Sequence, residues 1–191
     1  MTRFVSVRFL LLALAWLLLS AFYGNSQADD TPEDIARQVK AAYIFKFANY
    51  IEWPASSFEA PDSPIVIGVT GADQLADELT RISANRLIGK RPVTVKRLTM
   101  MDSTAGVHIL YLGGRDNGVT KPRSQLKGWV SSLQGQPLLS IADATQEFAE
   151  TAVIKFVIDN NRLRFDVSLA AAERNHLKVA APLLTVARRL D

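Results

Sequence analysis

The chain has no cysteine among its 191 residues. That excludes disulfides, thiolate metal sites, a cysteine nucleophile and thiol redox switching. Histidine is scarce too, with His108 and His176 far apart in the chain. No HExxH pair, EF-hand carboxylate spacing or GxSxG elbow occurs, so no recognisable catalytic constellation is present. Repeats, low-complexity tracts and a second-domain linker are also missing. The formal net charge is only +3, and Arg3 and Arg8 supply two of those charges. Residues 1–28 contain no acid, so a chain beginning at Asp29 carries +1. With no basic run and no RNA-binding motif, nothing points to nucleic acid.

Long apolar runs are rare, and the one that exists is at the start. Arg3 and Arg8 precede eleven apolar residues, Phe9 to Leu19, and a small, polar segment follows with Ser26 and Ala28 at the −3 and −1 positions of a cleavage site. This is the layout of a secretory signal peptide. The run is short for a membrane span, which needs about 20 apolar residues. The expectation is a cleaved leader over 1–28 and one domain over 29–191, delivered to the periplasm. The competing reading is an uncleaved anchor lengthened by Ala21, Phe22 and Tyr23.

Aromatics make up 8% of the chain, yet five of them fall within KAAYIFKFANYIEWP, residues 40–54. Ile35, Val39, Ala42/Tyr43, Phe47 and Tyr50/Ile51 recur at helical spacing, and Pro54 ends the pattern. The spacing predicts a core-facing helix over 31–52, with Thr31 as cap and Pro32 at its first position. Strands follow over 64–70, in RPVTVKRL and in GVHILYLGG. A helix is expected over 72–83, with Thr70 and Asp73 resembling a capping box. A helix over 119–133 faces inward through Leu126, Val130 and Leu133, and PLLSIA is the next strand. Ile154, Phe156 and Ile158 answer Leu163, Phe165 and Val167 across Asp159-Asn160-Asn161, the pattern of an antiparallel hairpin. Two short helices, in LAAAERN and APLLTVARRL, close the chain. Leu183, Val186/Ala187 and Leu190 would form the inner face of the last one, with Arg188 and Arg189 at its negative end. The fold class is α/β: a single domain with a mostly parallel sheet flanked by helices and a late antiparallel β-hairpin.

Binding groups are few. VTGAD (69–73) and GGRDNG (113–118) stand where strand-to-helix loops line the crevice of open α/β sheets, although neither is a complete phosphate motif. With the motifs incomplete, ordinary strand-to-helix turns that need glycine are the favoured reading of both. The outward side of the hairpin offers Arg162 and Arg164. The ERNH corner adds Arg174, which can pair with a carboxylate, and His176, which titrates near neutrality. His108 opens an apolar strand and reads as a hydrogen-bonded core residue.

KAAYIFKFANYIEWP also resembles the opening motif of the YfiR family, the DUF4154 domain. The similarity continues through VHILYLG, LLSIADATQEFAE and IKFVIDNNRLRFDVSLAAAERNHLKVAAPLLTVAR. The resemblance implies a non-enzymatic periplasmic repressor without a cofactor. Its partner would be the periplasmic sensor domain of an inner-membrane diguanylate cyclase resembling YfiN. It implies a limit on cyclic-di-GMP output and biofilm, sequestration by an outer-membrane lipoprotein resembling YfiB, and a homodimer as a state open to the chain. Departures from the family pattern include Val107 where many members have cysteine, Thr151-Ala152 in place of a glycine pair, and Ala180-Ala181 before the last helix. The alternative is a periplasmic small-ligand-binding module, using the two loops or the Arg174/His176 corner.

Overall fold

A computed structural model describes residues 31–114, 123–146 and 148–190. The expected leader over 1–28 lies outside the described residues, as do 115–122 of the second loop and its helix start. Among the described residues no helix is long and apolar enough to cross a membrane.

The chain from Glu33 onward forms one compact α/β unit. Its elements are α1 (Pro32–Phe47), β1 (Ile51–Glu52), β2 (Ile65–Thr70), α2 (Asp73–Ser83), β3 (Leu87–Ile88), β4 (Arg91–Leu98), β5 (Ile109–Leu112), α3 (Arg123–Ser132), β6 (Leu139–Asp143), β7 (Ile154–Asp159), β8 (Arg162–Val167), α4 (Leu169–Arg174), β9 (Lys178–Val179), α5 (Ala181–Val186) and β10 (Arg189–Leu190). The main sheet has the order β10-β8-β7-β6-β5-β2-β4-β3. Five of its pairings are parallel: β4–β2, β2–β5, β5–β6, β6–β7 and β10–β8. β3–β4 and β7–β8 are antiparallel. A separate two-stranded ribbon joins β1 to β9.

Strand sequence decides which face each helix covers. From β2 the chain crosses to β4 on one side, and from β5 it crosses to β6 on the other. With right-handed crossovers, opposite directions of travel put the connecting helices on opposite faces. Accordingly α2 packs with α1, α4 and α5 over Ile65, Ile67, Val69, Ile109, Ile141, Ile154 and Phe165. On the opposite face, Val130 and Leu133 from α3 and its C-terminal end join Val66, Leu110, Leu112 and Ala142. The inward set Leu126, Val130 and Leu133 is as the periodicity predicts.

The hairpin keeps the predicted register: Ile154, Phe156 and Ile158 stand opposite Val167, Phe165 and Leu163. Asn160 and Asn161 have φ of 47° and 61°, the paired left-handed residues of a tight hairpin turn. The aromatic cluster of α1 lies on this hairpin. Phe47 stacks on Phe156 at 5.9 Å, meets Phe165 edge-on at 4.8 Å, and stacks on Tyr43 at 5.7 Å.

Several local expectations are corrected. α1 ends at Phe47, and Ala48–Tyr50 tightens into a 3₁₀ turn. Ile51 and Glu52 leave the helix because they pair with Val179 and Lys178, a tertiary partner that helical spacing cannot reveal. The buried stripe is Ala41, Ile44 and Phe47, whereas Ile35 and Val39 are exposed. Thr70 caps nothing: it is buried in β2 and donates to the Tyr111 carbonyl, so α2 starts from Ala72 without a side-chain cap. The last helix stops at Val186, which is exposed together with Leu190. Arg189 and Leu190 instead pair with Asp166 and Val167, and Arg188 spends its guanidinium on Asp166 rather than on a helix end. As expected, α5 lacks a side-chain N-cap at Ala180.

Candidate functional site

Two places combine accessibility with organised polar groups. The first is a crevice of about 1020 Å³. It opens where β2 and β5 diverge toward opposite sides, the switch point at which open α/β sheets bind ligands beyond the carboxyl ends of their strands. Gly71, Ala72 and Leu75 supply one wall, Leu98, Thr99 and Asp102 another, α1 contributes Ala36, Arg37 and Lys40, and Tyr111 is in the lining.

The glycines shape this opening. Gly71 has φ of 58°, which turns the chain from β2 toward α2. The Gly113 amide bonds the Thr70 carbonyl at 2.9 Å, and a Cβ on Gly113 would stand 2.1 Å from that same oxygen. The glycine of the second loop is therefore required by a close approach of two backbones. That is the ordinary-turn reading of these loops, and the crevice exists beside it.

Beside the crevice, three elements meet at one carboxylate. The Lys40 ammonium lies 2.7 Å from Asp143 Oδ2, and the Tyr111 hydroxyl donates to the same oxygen at 3.0 Å. Burial pushes the Tyr111 phenol well above its ordinary range, and the Asp143 charge pushes the same way. Among the described residues Asp143 Oδ1 is buried without a hydrogen-bond partner. The other lining cations are also held. Arg37 donates to Gln74 Oε1 at 2.8 Å and pairs with Asp34, and Arg97 pairs with Asp77 and lies 3.8 Å from Asp73.

The second place is the face of β7 and β8 opposite α1. Alternation puts Lys155, Val157 and Asp159 there from β7, with Asp166, Arg164 and Arg162 opposite them. Among the described residues no β7 or β8 side chain of this face enters the α3-side core. Asp166 is buried and receives a bidentate pair from Arg188 at 2.8 and 2.6 Å. That hydrogen bonding holds its carboxyl below the usual range. Arg162 and Arg164 remain exposed.

Arg174 and His176 are exposed as well, but they lie elsewhere. Between them Asn175 is buried: it accepts from the Gly135 amide at 3.0 Å and donates to the Leu138 carbonyl at 2.8 Å. These contacts tie the corner to the entry of β6. The hairpin tip projects beyond the exit of β6, because Asp143 is level with Phe156. Some eight strand residues separate the two levels, roughly 25 Å at about 3.3 Å each. The four polar residues singled out in the sequence thus form two patches at opposite ends of the strands.

His108 is a core residue, 4% exposed. Its Nδ1 accepts from the Val66 amide at 3.1 Å, and Nε2 lies 3.0 Å from the Ser57 carbonyl, so the ring is neutral with its proton on Nε2. Burial lowers its pKa. Phe58 stacks on it at 4.5 Å, and the Trp53 indole donates to its carbonyl at 3.2 Å. Trp53 thereby fastens the reversal at Pro54. Sequence reading missed Lys40, Tyr111 and Asp143 as a group. The available signals were the lysine that opens the aromatic motif and the lone acid ending an apolar strand.

The family model described as YfiR/HmsC-like (DUF4154) matches residues 37–188 of the chain.

Proposed function

The chain belongs to the YfiR/HmsC-like family, and we propose that it is a periplasmic negative regulator of an inner-membrane diguanylate cyclase. The family is one of regulators rather than enzymes, and it is consistent with control of diguanylate cyclase signalling. The observation that carries the reading is the family match across nearly the whole described unit. In this proposal the protein binds the periplasmic sensor domain of a YfiN-like cyclase and represses cyclic-di-GMP synthesis, which limits biofilm and exopolysaccharide. A YfiB-like outer-membrane lipoprotein sequesters it, and a homodimer is the working assembly.

The contact surface in this proposal is the charged face of the hairpin. Binding energy concentrates in a few anchors, arginine prominent among them. Arg162 and Arg164 are exposed at the tip end of this face. Arg174 and His176, at the other end of the strands, provide a separate second contact. The test is deletion of the gene followed by complementation, with intracellular cyclic-di-GMP measured at equal protein abundance. Deletion raises the level and the parent chain restores it. Arg164→Glu fails to restore it while folding normally. An unchanged level on deletion refutes repression, and full restoration by both Arg164→Glu and Arg174→Glu moves the contact elsewhere.

A further inference from the structure

The main sheet ends at β3, and β3 is too short to close it. Its two residues pair only with Arg91 and Pro92. From Val93 to Leu98, β4 therefore has β2 on one side and, among the described residues, no strand on the other. That open edge spans roughly 20 Å at about 3.3 Å per residue. Register decides which groups it presents. The Val66 and Thr70 carbonyls accept from the His108 and Gly113 amides on the β5 side, so Ile65, Ile67 and Val69 turn their backbone groups toward β4. Ile67 is level with Val95 in a parallel pair, and its bonds therefore go to Thr94 and Lys96. Val93, Val95 and Arg97 are left with amides and carbonyls aimed outward, a template for one more strand.

Side chains say what that strand would carry. Val93 and Val95 are half-buried against the α2-side core, and Thr94 and Lys96 stand exposed on the opposite face. An added strand continues the apolar row with one set of alternate residues and meets Lys96 with the other. Residues 84–98 hold five cations and no acid. Three of the five are engaged. Arg91 is spent on the Ala60 and Ser63 carbonyls and the Phe58 ring, Arg97 on Asp77 and Asp73, and Arg86 lies over Phe45. Lys90, in the turn before β4, and Lys96 are exposed with no acidic partner among the described residues. Glu59 and Asp62 flank the carbonyls that Arg91 binds, at the far end of β4 from Lys96. The same charges select against a second copy. Antiparallel pairing of two β4 edges would gather Lys96 and Arg97 of both copies at its centre, where like charges destabilise. We propose that the β4 edge takes up, as an added strand, an extended segment of a partner protein that alternates apolar and carboxylate side chains.

This edge and the hairpin lie toward opposite ends of the strand order, so the proposal stands apart from the cyclase contact and is tested on purified protein. The probe is a short fluorescent peptide alternating valine and glutamate, read by anisotropy. One control carries lysine in place of glutamate. Another is N-methylated at every amide, so that it cannot donate to a strand. The expected result is saturable binding of the valine–glutamate peptide alone. Lys96→Glu weakens that binding about tenfold and lets the lysine peptide bind instead. Val95→Pro removes one outward amide where an edge strand tolerates proline, and it weakens binding too. Arg164→Glu on the hairpin leaves binding intact. Unliganded Tm values establish that each variant is folded, and Lys96→Glu alone suffices should Val95→Pro fail to fold. No binding of the valine–glutamate peptide overturns the proposal. So does equal binding of the N-methylated peptide, or unchanged affinity in folded Lys96→Glu. Binding of phosphatidylglycerol vesicles in place of the peptide also overturns it, giving the cations to a membrane surface. A concentration-dependent dimer that Val95→Pro abolishes overturns it as well, giving the edge to a second copy.

Discussion

Truncation of Phe47 to alanine is the sharpest test of how α1 sits on the sheet. Its side chain is 1% exposed and touches three aromatic rings, Tyr43, Phe156 and Phe165. Two of these belong to the hairpin, so neither can fill the void without disturbing the β7–β8 pairing. Full burial of a phenylalanine and incomplete collapse around the cavity together cost about 3–5 kcal/mol on truncation. For a domain of this size each kcal/mol lowers Tm by roughly 2–4 °C, so the expected loss is about 6–20 °C. Urea unfolding should show the same loss as a lower midpoint with an unchanged slope. Val39→Ala is the companion measurement. Helical spacing puts Val39 in the core, but the structure leaves it 38% exposed, and removal of two methyl carbons there should cost within about 0.5 kcal/mol. A Phe47→Ala midpoint equal to the parent's, or a Val39→Ala loss of comparable size to Phe47→Ala, would refute the orientation of α1.

Other outcomes follow from named groups. His108 is neutral in the fold and its pKa is depressed by burial, so the unfolded chain takes up a proton that the folded one refuses. Stability should therefore be full above about pH 6.5, the ordinary histidine value, and should decline as pH falls below it. His108→Gln should remove that component of the slope between pH 5 and 7 in urea titrations, and an unchanged slope would assign it to other groups. Gly113→Ala should cost more than about 3 kcal/mol or prevent folding, because the new carbon would collide with the Thr70 carbonyl. A soluble variant of normal Tm would show that the two loops are not in contact. Arg188→Ala should lower the urea midpoint, because it strips the bidentate partner from buried Asp166, and the loss should shrink as the carboxylate is protonated in acid.

What was legible in the sequence was periodic. Ile65–Thr70 is apolar on both faces because the strand is covered on both, and the hairpin announced itself through alternation around two asparagines. The glycine at 71 marked a loop that lines the crevice, and Gly113 marked the turn packed against it. What was not legible depended on partners distant in the chain. Ile51 and Glu52 carry a helical pattern and become a strand only because Val179 and Lys178 lie beside them. Arg188 reads as a helix-end cation until Asp166 is placed across from it. Lys40, Tyr111 and Asp143, which meet beside the crevice, come from three separate elements, and no spacing rule links them. Likewise, sequence adjacency suggested one surface for Arg164 and Arg174, whereas the reversal of β8 sends them to opposite ends.

The seat of α1 on the hairpin also governs how the chain behaves while it is being made. Phe47 emerges first, and the rings that bury it, Phe156 and Phe165, follow roughly 110 residues later. At synthesis rates of about 5–20 residues per second, the aromatic stripe of α1 waits about 5–20 s for its partners. The β1–β9 ribbon sets a similar delay, since Ile51 must await Val179. A chain that stopped before β7 would lack both hairpin rings and leave the Phe47 side of α1 without the aromatic partners it has in the complete fold.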